Sequence, residues 1–246
     1  SEGDLTLDNM YSELIHIAPG IGIADLNNDG RNDLFIFGNH NIEDQRPKIY
    51  FSNADGGFDE TSPFDDYQFI DSKPQAVDYD SDGDLDIWVM AGYEVNADAR
   101  FGMMFENEGG DFTAVDLGII NKGPGSSDWG DYDADGDLDL LIGGWGFVNS
   151  GEDSDVIYRI YENDQGTFKE AADFQPYGAY SPGTSSRFAD WDNDGDLDVI
   201  VTGWNPDEEG QRVGFFINNS GTFSLADYSS TVPGVSESAL EVGDLD

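Results

Sequence analysis

Four copies of one nine-residue pattern constrain this chain more than any other feature of its sequence. Each copy has an oxygen-bearing Asp or Asn at places 1, 3, 5 and 9, and a glycine at place 6. The copies run over residues 25–33, 78–86, 131–139 and 190–198. A solvated turn has no reason to repeat oxygen donors at the same four places. A fifth copy begins at Asp244-Leu-Asp246.

The spacing of these oxygens predicts calcium-binding loops. Ca²⁺ takes about six to eight oxygen ligands, and alternate residues of a tight turn can direct carboxylates at one centre. The predicted ligands are the side chains at places 1, 3, 5 and 9 and the backbone carbonyl at place 7. The candidate residues are Asp25, Asn27, Asp29, Arg31 and Asp33; Asp78, Asp80, Asp82, Asp84 and Asp86; Asp131, Asp133, Asp135, Asp137 and Asp139; Asp190, Asp192, Asp194, Asp196 and Asp198; and Asp244 and Asp246 of a truncated fifth site.

The four complete loops are not equivalent, and we expect the first to bind calcium most weakly. Asn27 stands where the other loops have an aspartate, and Arg31 adds a positive charge at place 7. Both changes reduce the negative charge that attracts the ion.

The residues after each loop predict strands. A calcium loop of the EF-hand kind closes with glutamate at position 12 and lies between helices, whereas here an aspartate closes the pattern at place 9. Apolar runs follow at residues 34–37, 87–90, 140–142 and 199–201. Short apolar runs bounded by turn residues favour buried strands, so each loop is expected to join two strands.

A second repeated pattern, Asn-x-x-Gly-x-Phe, predicts one hairpin turn per repeat. It begins at Asn53, Asn107, Asn163 and Asn218, and successive loops start at residues 25, 78, 131, 190 and 244. In the third repeat the predicted strands are 126–130, 139–143, 156–162 and 167–172. A period of this length with four antiparallel strands is typical of a β-propeller blade.

We therefore predict an all-β fold, a single β-propeller segment of four-stranded antiparallel blades over residues 1–246. Whole repeats are expected at about 20–70, 72–123, 125–180 and 183–232. Partial repeats are expected at 1–19 and 233–246.

The loops and turns together resemble the FG-GAP or VCBS repeat family, whose calcium-binding propellers include the integrin α-subunit head and many secreted bacterial proteins. The resemblance implies calcium held by places 1, 3, 5 and 9 and the carbonyl of place 7. It also implies a propeller that often has seven blades, so four whole repeats lead us to expect a segment of a longer chain. The alternative is that subunits complete one another's partial repeats end to end, as a ring or a filament.

The charge of the chain restricts its partners and its location. The 52 acidic and 10 basic residues give a formal net charge of −42, and there is no cysteine to form a disulfide. So much negative charge repels nucleic acid and anionic lipid, and no stretch approaches the length of a membrane helix. Extracellular calcium modules bind at dissociation constants of about 10⁻⁴–10⁻³ M, which favours an extracellular or cell-surface location.

Sequence variation between the repeats predicts a ligand-binding face opposite the calcium loops. The variable segments connect the second and third strands of a repeat, and one repeat to the next, and binding residues usually lie on such loops. Tyr93, Trp145 and Trp204 each follow the glycine that ends a second strand. They are candidates for stacking on a sugar ring, and packing between blades is their alternative role.

These features predict a secreted or cell-surface, calcium-stabilised binding or adhesion module for a glycan or a protein. Two alternatives stay open, a structural subunit of an extracellular calcium-dependent filament and the propeller domain of a polysaccharide-acting enzyme. The sequence predicts no enzyme, because the only histidines are His16 and His40 and no pair of acids stands out among 52.

Overall fold

The computed structural model describes residues 20–38, 46–64, 67, 69–94, 102–119, 125–148, 153–174, 185–205 and 210–226. Over these residues the chain forms sixteen strands and no helix. The strands make four sheets, each of four antiparallel strands that follow one another along the chain. This arrangement confirms the predicted all-β architecture of propeller blades.

Each blade contains four consecutive strands. Blade 1 consists of β1 (Gly20–Ala24), β2 (Asp33–Phe37), β3 (Lys48–Ser52) and β4 (Phe58–Thr61). Blade 2 consists of β5 (Phe69–Val77), β6 (Asp86–Glu94), β7 (Gly102–Glu108) and β8 (Asp111–Val115). Blade 3 consists of β9 (Gly125–Gly130), β10 (Asp139–Val148), β11 (Asp153–Asp164) and β12 (Thr167–Asp173). Blade 4 consists of β13 (Ser185–Ala189), β14 (Asp198–Asn205), β15 (Gly210–Asn219) and β16 (Thr222–Leu225).

The strands of blade 3 begin and end close to the predicted residues, except where β10 and β11 are longer. Residues 144–155 were expected to form a connection, but Gly144 pairs with Ile157 and Val148 pairs with Asp153. The sequence beyond the glycine is rich in β-prone residues, including Trp145 and Phe147, so the antiparallel ladder continues past it. In blade 2, residues 65–74 were expected to connect the first repeat to the second, but residues 69–74 belong to β5.

Neighbouring blades pack through their first strands and share apolar cores. Strand β1 lies against β5, β9 lies against β6, and β13 lies against β9 and β10. The first shared core joins Phe35, Phe37 and Ile49 of blade 1 to residues of blade 2 such as Ile87 and Phe105. Equivalent clusters join blades 2 and 3 and blades 3 and 4. The main apolar core therefore lies between blades, so each blade depends on its neighbour.

The turn asparagines connect each later blade to the nine-residue loop of the blade before it. The Nδ2 of Asn107 donates to the carbonyl of Leu26 at 2.7 Å, and that of Asn163 donates to the carbonyl of Tyr79 at 2.7 Å. Asn218 donates to the carbonyl of Tyr132 at 2.8 Å. All three acceptors occupy place 2 of a loop.

Each of these asparagines makes further hydrogen bonds within its own blade. The same Nδ2 donates to the place 8 carbonyl, and Oδ1 accepts from the amide of the turn glycine; for Asn163 the partners are Leu138 at 3.0 Å and Gly166 at 2.8 Å. The three side chains are fully buried. Buried carbonyls need a donor, so asparagine has a structural reason to recur at this place.

Replacing Asn163 with alanine should destabilise the fold strongly. The substitution leaves the buried carbonyl of Tyr79 and the partly buried carbonyl of Leu138 without this donor, at about 1–3 kcal/mol each, so we expect the free energy of unfolding to fall by about 2–6 kcal/mol. Asn53→Ala is the matched control, because within the described residues the Asn53 amide donates to the exposed Asp59 carboxylate across 3.3 Å and to no loop carbonyl. Urea denaturation followed by tryptophan fluorescence measures both. Equal losses in the two variants would contradict the inter-blade role.

Candidate metal centres

The backbone of the nine-residue loops takes the same path in all four blades. Place 4 has a positive φ of 56–62° in each loop, and the glycine at place 6 has a positive φ of 83–103°. Left-handed backbone favours glycine, which accounts for the glycine at place 6. The two left-handed residues make the turn tight enough to bring alternate side chains together.

The aspartate at place 1 holds the turn through backbone amides. In the third loop, Asp131 Oδ1 accepts from the amide of Asp135 at 3.0 Å, and Oδ2 accepts from the amide of Gly136 at 3.1 Å. Asp25 and Asp190 make the same pair of bonds in their loops. The loop shape is therefore built partly by a predicted ligand.

The aspartate at place 9 connects the loop to the third strand of its blade. Asp139 Oδ2 accepts from the amide of Tyr132 at 3.1 Å, and Oδ1 accepts from the amide of Asn163 at 2.9 Å. Asp33, Asp86 and Asp198 have the equivalent two bonds. All four carboxylates are at most 1% exposed. Place 9 thus has a structural task besides the ligand role predicted from the sequence.

The side chain at place 7 has a task that the sequence analysis missed. Asp84, Asp137 and Asp196 each accept an amide of the hairpin turn in their own blade, at 2.8, 2.9 and 2.9 Å. In the first loop, Arg31 Nε instead donates to the carbonyl of Ser52 at 3.0 Å. The recurrence of aspartate at place 7 in three loops indicated a role for its side chain. The sequence-based prediction used only the backbone carbonyl at that place, as a calcium ligand.

Three of the loops bring carboxylates together in groups that could hold a metal ion. Within each group, one oxygen from every member lies within 4.8 Å of the others. The groups are Asp78, Asp80 and Asp86; Asp131, Asp133 and Asp139; and Asp190, Asp192 and Asp194. The structure thus brings together places 1, 3 and 9 of the second and third loops and places 1, 3 and 5 of the fourth.

The second loop has oxygens that fit a cation. Asp78 Oδ1 and Asp80 Oδ1 are buried and have no hydrogen-bond partner within the part of the chain that the structure describes. A buried polar atom without a partner calls for an explanation such as an ion. Carboxylate oxygens are the ligands that calcium prefers, so the donor set fits that ion.

The first and fifth loops differ from the others. In the first loop, Asp29 at place 5 forms an ion pair with Arg31, so the guanidinium already neutralises one of the predicted ligands. Asp244 and Asp246 of the fifth loop lie outside the described residues.

Burial raises the pKa of two place 9 carboxyls. The pKa of Asp86 is about 7, because burial outweighs the amides donated by Asn107 and Tyr79. Asp139 also has a pKa of about 7, with burial as the main cause. Burial, followed by the neighbouring place 5 carboxylate, also raises the pKa of Asp80 and Asp133. Charge in these loops is therefore costly unless a cation accompanies it.

The metal-free protein should lose stability as the pH rises from 5 to 7.5. An unfolded aspartate has a pKa of about 3.9, so below pH 7 the folded chain retains protons at Asp86 and Asp139 that the unfolded chain releases. Their contribution to stability is complete near pH 4 and is lost as the pH rises to about 7. Urea denaturation in excess chelator at several pH values measures the trend.

The double variant Asp86→Asn/Asp139→Asn should flatten this dependence, because it removes both titrating carboxyls. Asp111→Asn is the control, since Asp111 is an exposed acid on β8. An unchanged slope in the double variant would assign the effect to overall charge repulsion instead.

The aromatic candidates lie near the ends of second strands. Tyr93 pairs with Ile70, Trp145 pairs with Val156 and Trp204 pairs with Gln211. Their strands begin at place 9 of the nine-residue loops, so the backbone places all three toward the opposite edge of their blades. Their side chains lie outside what the structure describes.

Comparisons with known proteins address the fold and the repeats. No helix in the described ranges has the length and apolar character needed to cross a membrane. The comparison with curated protein sequences gave no match. One similar solved structure is an Agrocybe aegerita lectin, described as specifically recognising non-reducing terminal N-acetylglucosamine. It is 19% identical with a TM-score of 0.48; the alignment covers 87% of this chain and 55% of the lectin chain, so this chain spans about half of that protein's length.

A family model described as FG-GAP-like repeat matches residues 25–89 and 147–201. The matched ranges contain the first, second and fourth nine-residue loops. The chain therefore carries FG-GAP-like repeats, which confirms the family resemblance predicted from its loops and turns.

Proposed function

We propose that this chain is a calcium-stabilised binding module. The second loop carries the proposal, because the carboxylates of Asp78, Asp80 and Asp86 converge there and two of their buried oxygens have no donor in the described chain. Calcium would be held by the side chains at places 1, 3, 5 and 9 and by the carbonyl at place 7. The ion would supply the positive charge that the buried carboxylates lack.

The hydrogen bonds around the loops support a structural role for the ion. Asp86 is bonded to the amide of Asn107, and the side chain of Asn107 is bonded to the first loop through Leu26. Neutralising Asp86 would therefore stabilise the contact between blades 1 and 2 as well as the loop. The same chain of bonds runs through Asp139 and Asn163.

The number of sites is part of the proposal. The second, third and fourth loops would be full sites, since each presents a group of three carboxylates. The first would bind most weakly, because Asn27 is neutral and Arg31 pairs with Asp29. About four sites, with Asp244 and Asp246 beginning a fifth, remain the expectation from the sequence.

Calcium removal should lower the melting temperature substantially. At a calcium concentration 100 times the dissociation constant, each independent site adds about 2.7 kcal/mol of stability. Differential scanning calorimetry with calcium and with excess chelator measures the loss, and titration calorimetry counts the ions.

Asp80→Ala should remove one calcium from the count, whereas Asp111→Ala, on the exposed strand β8, should leave the count unchanged. An identical melting temperature with calcium and with chelator would refute the calcium proposal. Loss of the same number of ions in both variants would refute the assignment of Asp80.

The proposed ligand of the module is a glycan or a protein, bound at the edge of the blades opposite the calcium loops. The proposal is supported by Trp145 and Trp204, which occupy the same place in β10 and β14, and by Tyr93, which lies one place further along β6. Aromatic rings offer large, rigid contact surfaces to sugars and proteins. Secretion or surface display and an adhesion role are part of the same proposal, because weak calcium sites need the calcium level found outside cells.

Trp145→Ala/Trp204→Ala should abolish glycan binding if the ligand is a sugar. Screening the calcium-loaded chain on a glycan array identifies the ligand, and titration of the variant tests the site. Trp191→Ala is the control, since Trp191 is an exposed tryptophan in the fourth loop. Full binding by the double variant would contradict the location of the site.

Two other proposals stay separate from this one. We predict that the chain has no catalytic activity. The alternative is that it is the propeller domain of a polysaccharide-acting enzyme. End-to-end self-association requires neither the calcium proposal nor the glycan proposal.

A further inference from the structure

Aspartate directly before glycine occurs five times in this chain, and this pair of residues can rearrange its own backbone. The amide nitrogen of the second residue attacks the side-chain carboxyl carbon of the aspartate, and glycine hinders this attack least because it has no Cβ. Four of the pairs occupy places 5 and 6 of the nine-residue loops. The fifth pair, Asp55-Gly56, lies in the hairpin turn between β3 and β4 of blade 1.

The nine-residue loops hold both reacting groups of their aspartate–glycine pairs. In the third loop, the Asp135 carboxylate accepts from the amide of Asp137 at 3.0 Å, and the amide of Gly136 donates to Asp131 at 3.1 Å. The other three loops make the same two bonds at 2.8–3.2 Å. The carboxyl carbon reaches the glycine nitrogen only after the first bond breaks, so the folded loop resists the rearrangement.

The side chain of Asp55 has no such restraint. It is exposed, and its carboxylate has no hydrogen-bond partner among the described residues. The amide of Gly56 donates to the neutral carbonyl of Asn53 at 3.1 Å instead of to a carboxylate. Gly56 has a positive φ of 81°, and no other part of the chain lies within 4 Å of the position that a Cβ would take. The Asp55 carboxyl can therefore approach the Gly56 nitrogen without displacing a neighbour.

Among the four hairpin turns that the structure describes, the blade 1 turn differs in how its tip is held. In blades 2 to 4, the amide of the third turn residue donates to the place 7 carboxylate at 2.8–2.9 Å. Asp55 is the third residue of the blade 1 turn, but place 7 of its loop is Arg31, whose Nε donates to the Ser52 carbonyl. A guanidinium cannot accept a hydrogen bond. The tip of this turn thus lacks the bond that fixes the other three.

We propose that Asp55-Gly56 is a site of isoaspartate formation in the folded protein. The Gly56 amide nitrogen forms a bond to Cγ of Asp55 in its acid form, and the carboxyl C–OH bond breaks. The hydroxyl leaves with the amide proton as water, and the product is a five-membered succinimide. Water then opens the ring. Opening at the main-chain carbonyl of Asp55 leads the backbone through Cβ and frees the α-carboxyl, so the final mass equals the initial mass and no other reactant takes part.

The product changes the shape of the turn but not its charge. Asn53 and Gly57 close the turn, since the amide of Asn53 donates to the Gly57 carbonyl at 3.0 Å and the amide of Gly57 donates to Asn53 Oδ1 at 2.9 Å. Isoaspartate adds one backbone atom to the segment between them. These two bonds must therefore rearrange when Asp55 is converted.

Peptide mapping by mass spectrometry tests the proposal, after the folded chain has been stored for weeks in calcium buffer at mildly acidic pH. An isoaspartate peptide elutes separately at equal mass, and fragmentation locates the altered residue. We expect conversion at Asp55 to be at least about tenfold faster than at any loop aspartate, equivalent to about 1.4 kcal/mol in the barrier. Equal rates at all five pairs, or conversion confined to the loops, would overturn the proposal.

The same chain unfolded in urea is the reference, because unfolding removes the bonds that restrain the loops and leaves the five dipeptides unchanged. All five pairs should then convert at similar rates. Conversion of Asp55 in urea but not in the folded chain would mean that the turn protects it, which would overturn the proposal. Loop pairs that stay slow in urea would also overturn it, since their protection would then come from local sequence.

Asp55→Glu should abolish conversion at this site, because glutamate would have to close a six-membered ring, which forms far more slowly. Asp59→Glu is the matched control, since Asp59 is an exposed acid of the same hairpin that precedes Glu60 and not a glycine. Both variants keep the charge, and Asp59→Glu should convert at Asp55 like the unmodified chain. A separately eluting species of equal mass that persists in Asp55→Glu would overturn the assignment to Asp55.

Discussion

The hydrogen bonds that join each nine-residue loop to the next blade are the constraint on which the rest of this structure depends. The place 9 aspartate binds the third strand of its blade, and the turn asparagine of that strand reaches the place 2 carbonyl of the preceding loop. Asp139, Asn163 and Tyr79 form one such series, with bonds of 2.9 and 2.7 Å. A loop cannot change shape without disturbing two blades.

This arrangement concentrates negative charge where water is scarce. Place 9 carboxylates are at most 1% exposed, and burial raises the pKa of Asp86 and Asp139 to about 7. Charged groups are buried only when they are paired, hydrogen-bonded or bound to metal. Amide donors satisfy part of this need, and calcium is proposed to supply the remainder. The same residues that form the fold would then make it depend on the ion.

The sequence predicted the features that are encoded locally. A few neighbouring residues specify each of three features that the structure contains. These features are the left-handed glycine at place 6, the strand that follows the loop and the hairpin turn that begins at Asn163. The sequence could not reveal that Asn163 donates to Tyr79, because the partners are 84 residues apart. The hydrogen bond from the Gln165 amide to the Asp137 carboxylate could not be predicted for the same reason, because the two residues are 28 positions apart.

Amide hydrogen exchange with calcium and with chelator tests most directly the claim that loops and blade contacts form one unit. The account predicts that chelator accelerates exchange at the loop amides and also at the amides of Ser52, Asn107, Asn163 and Asn218, which bind the place 9 carboxylates. Acceleration confined to the loops, or exchange that does not respond to calcium, would contradict it.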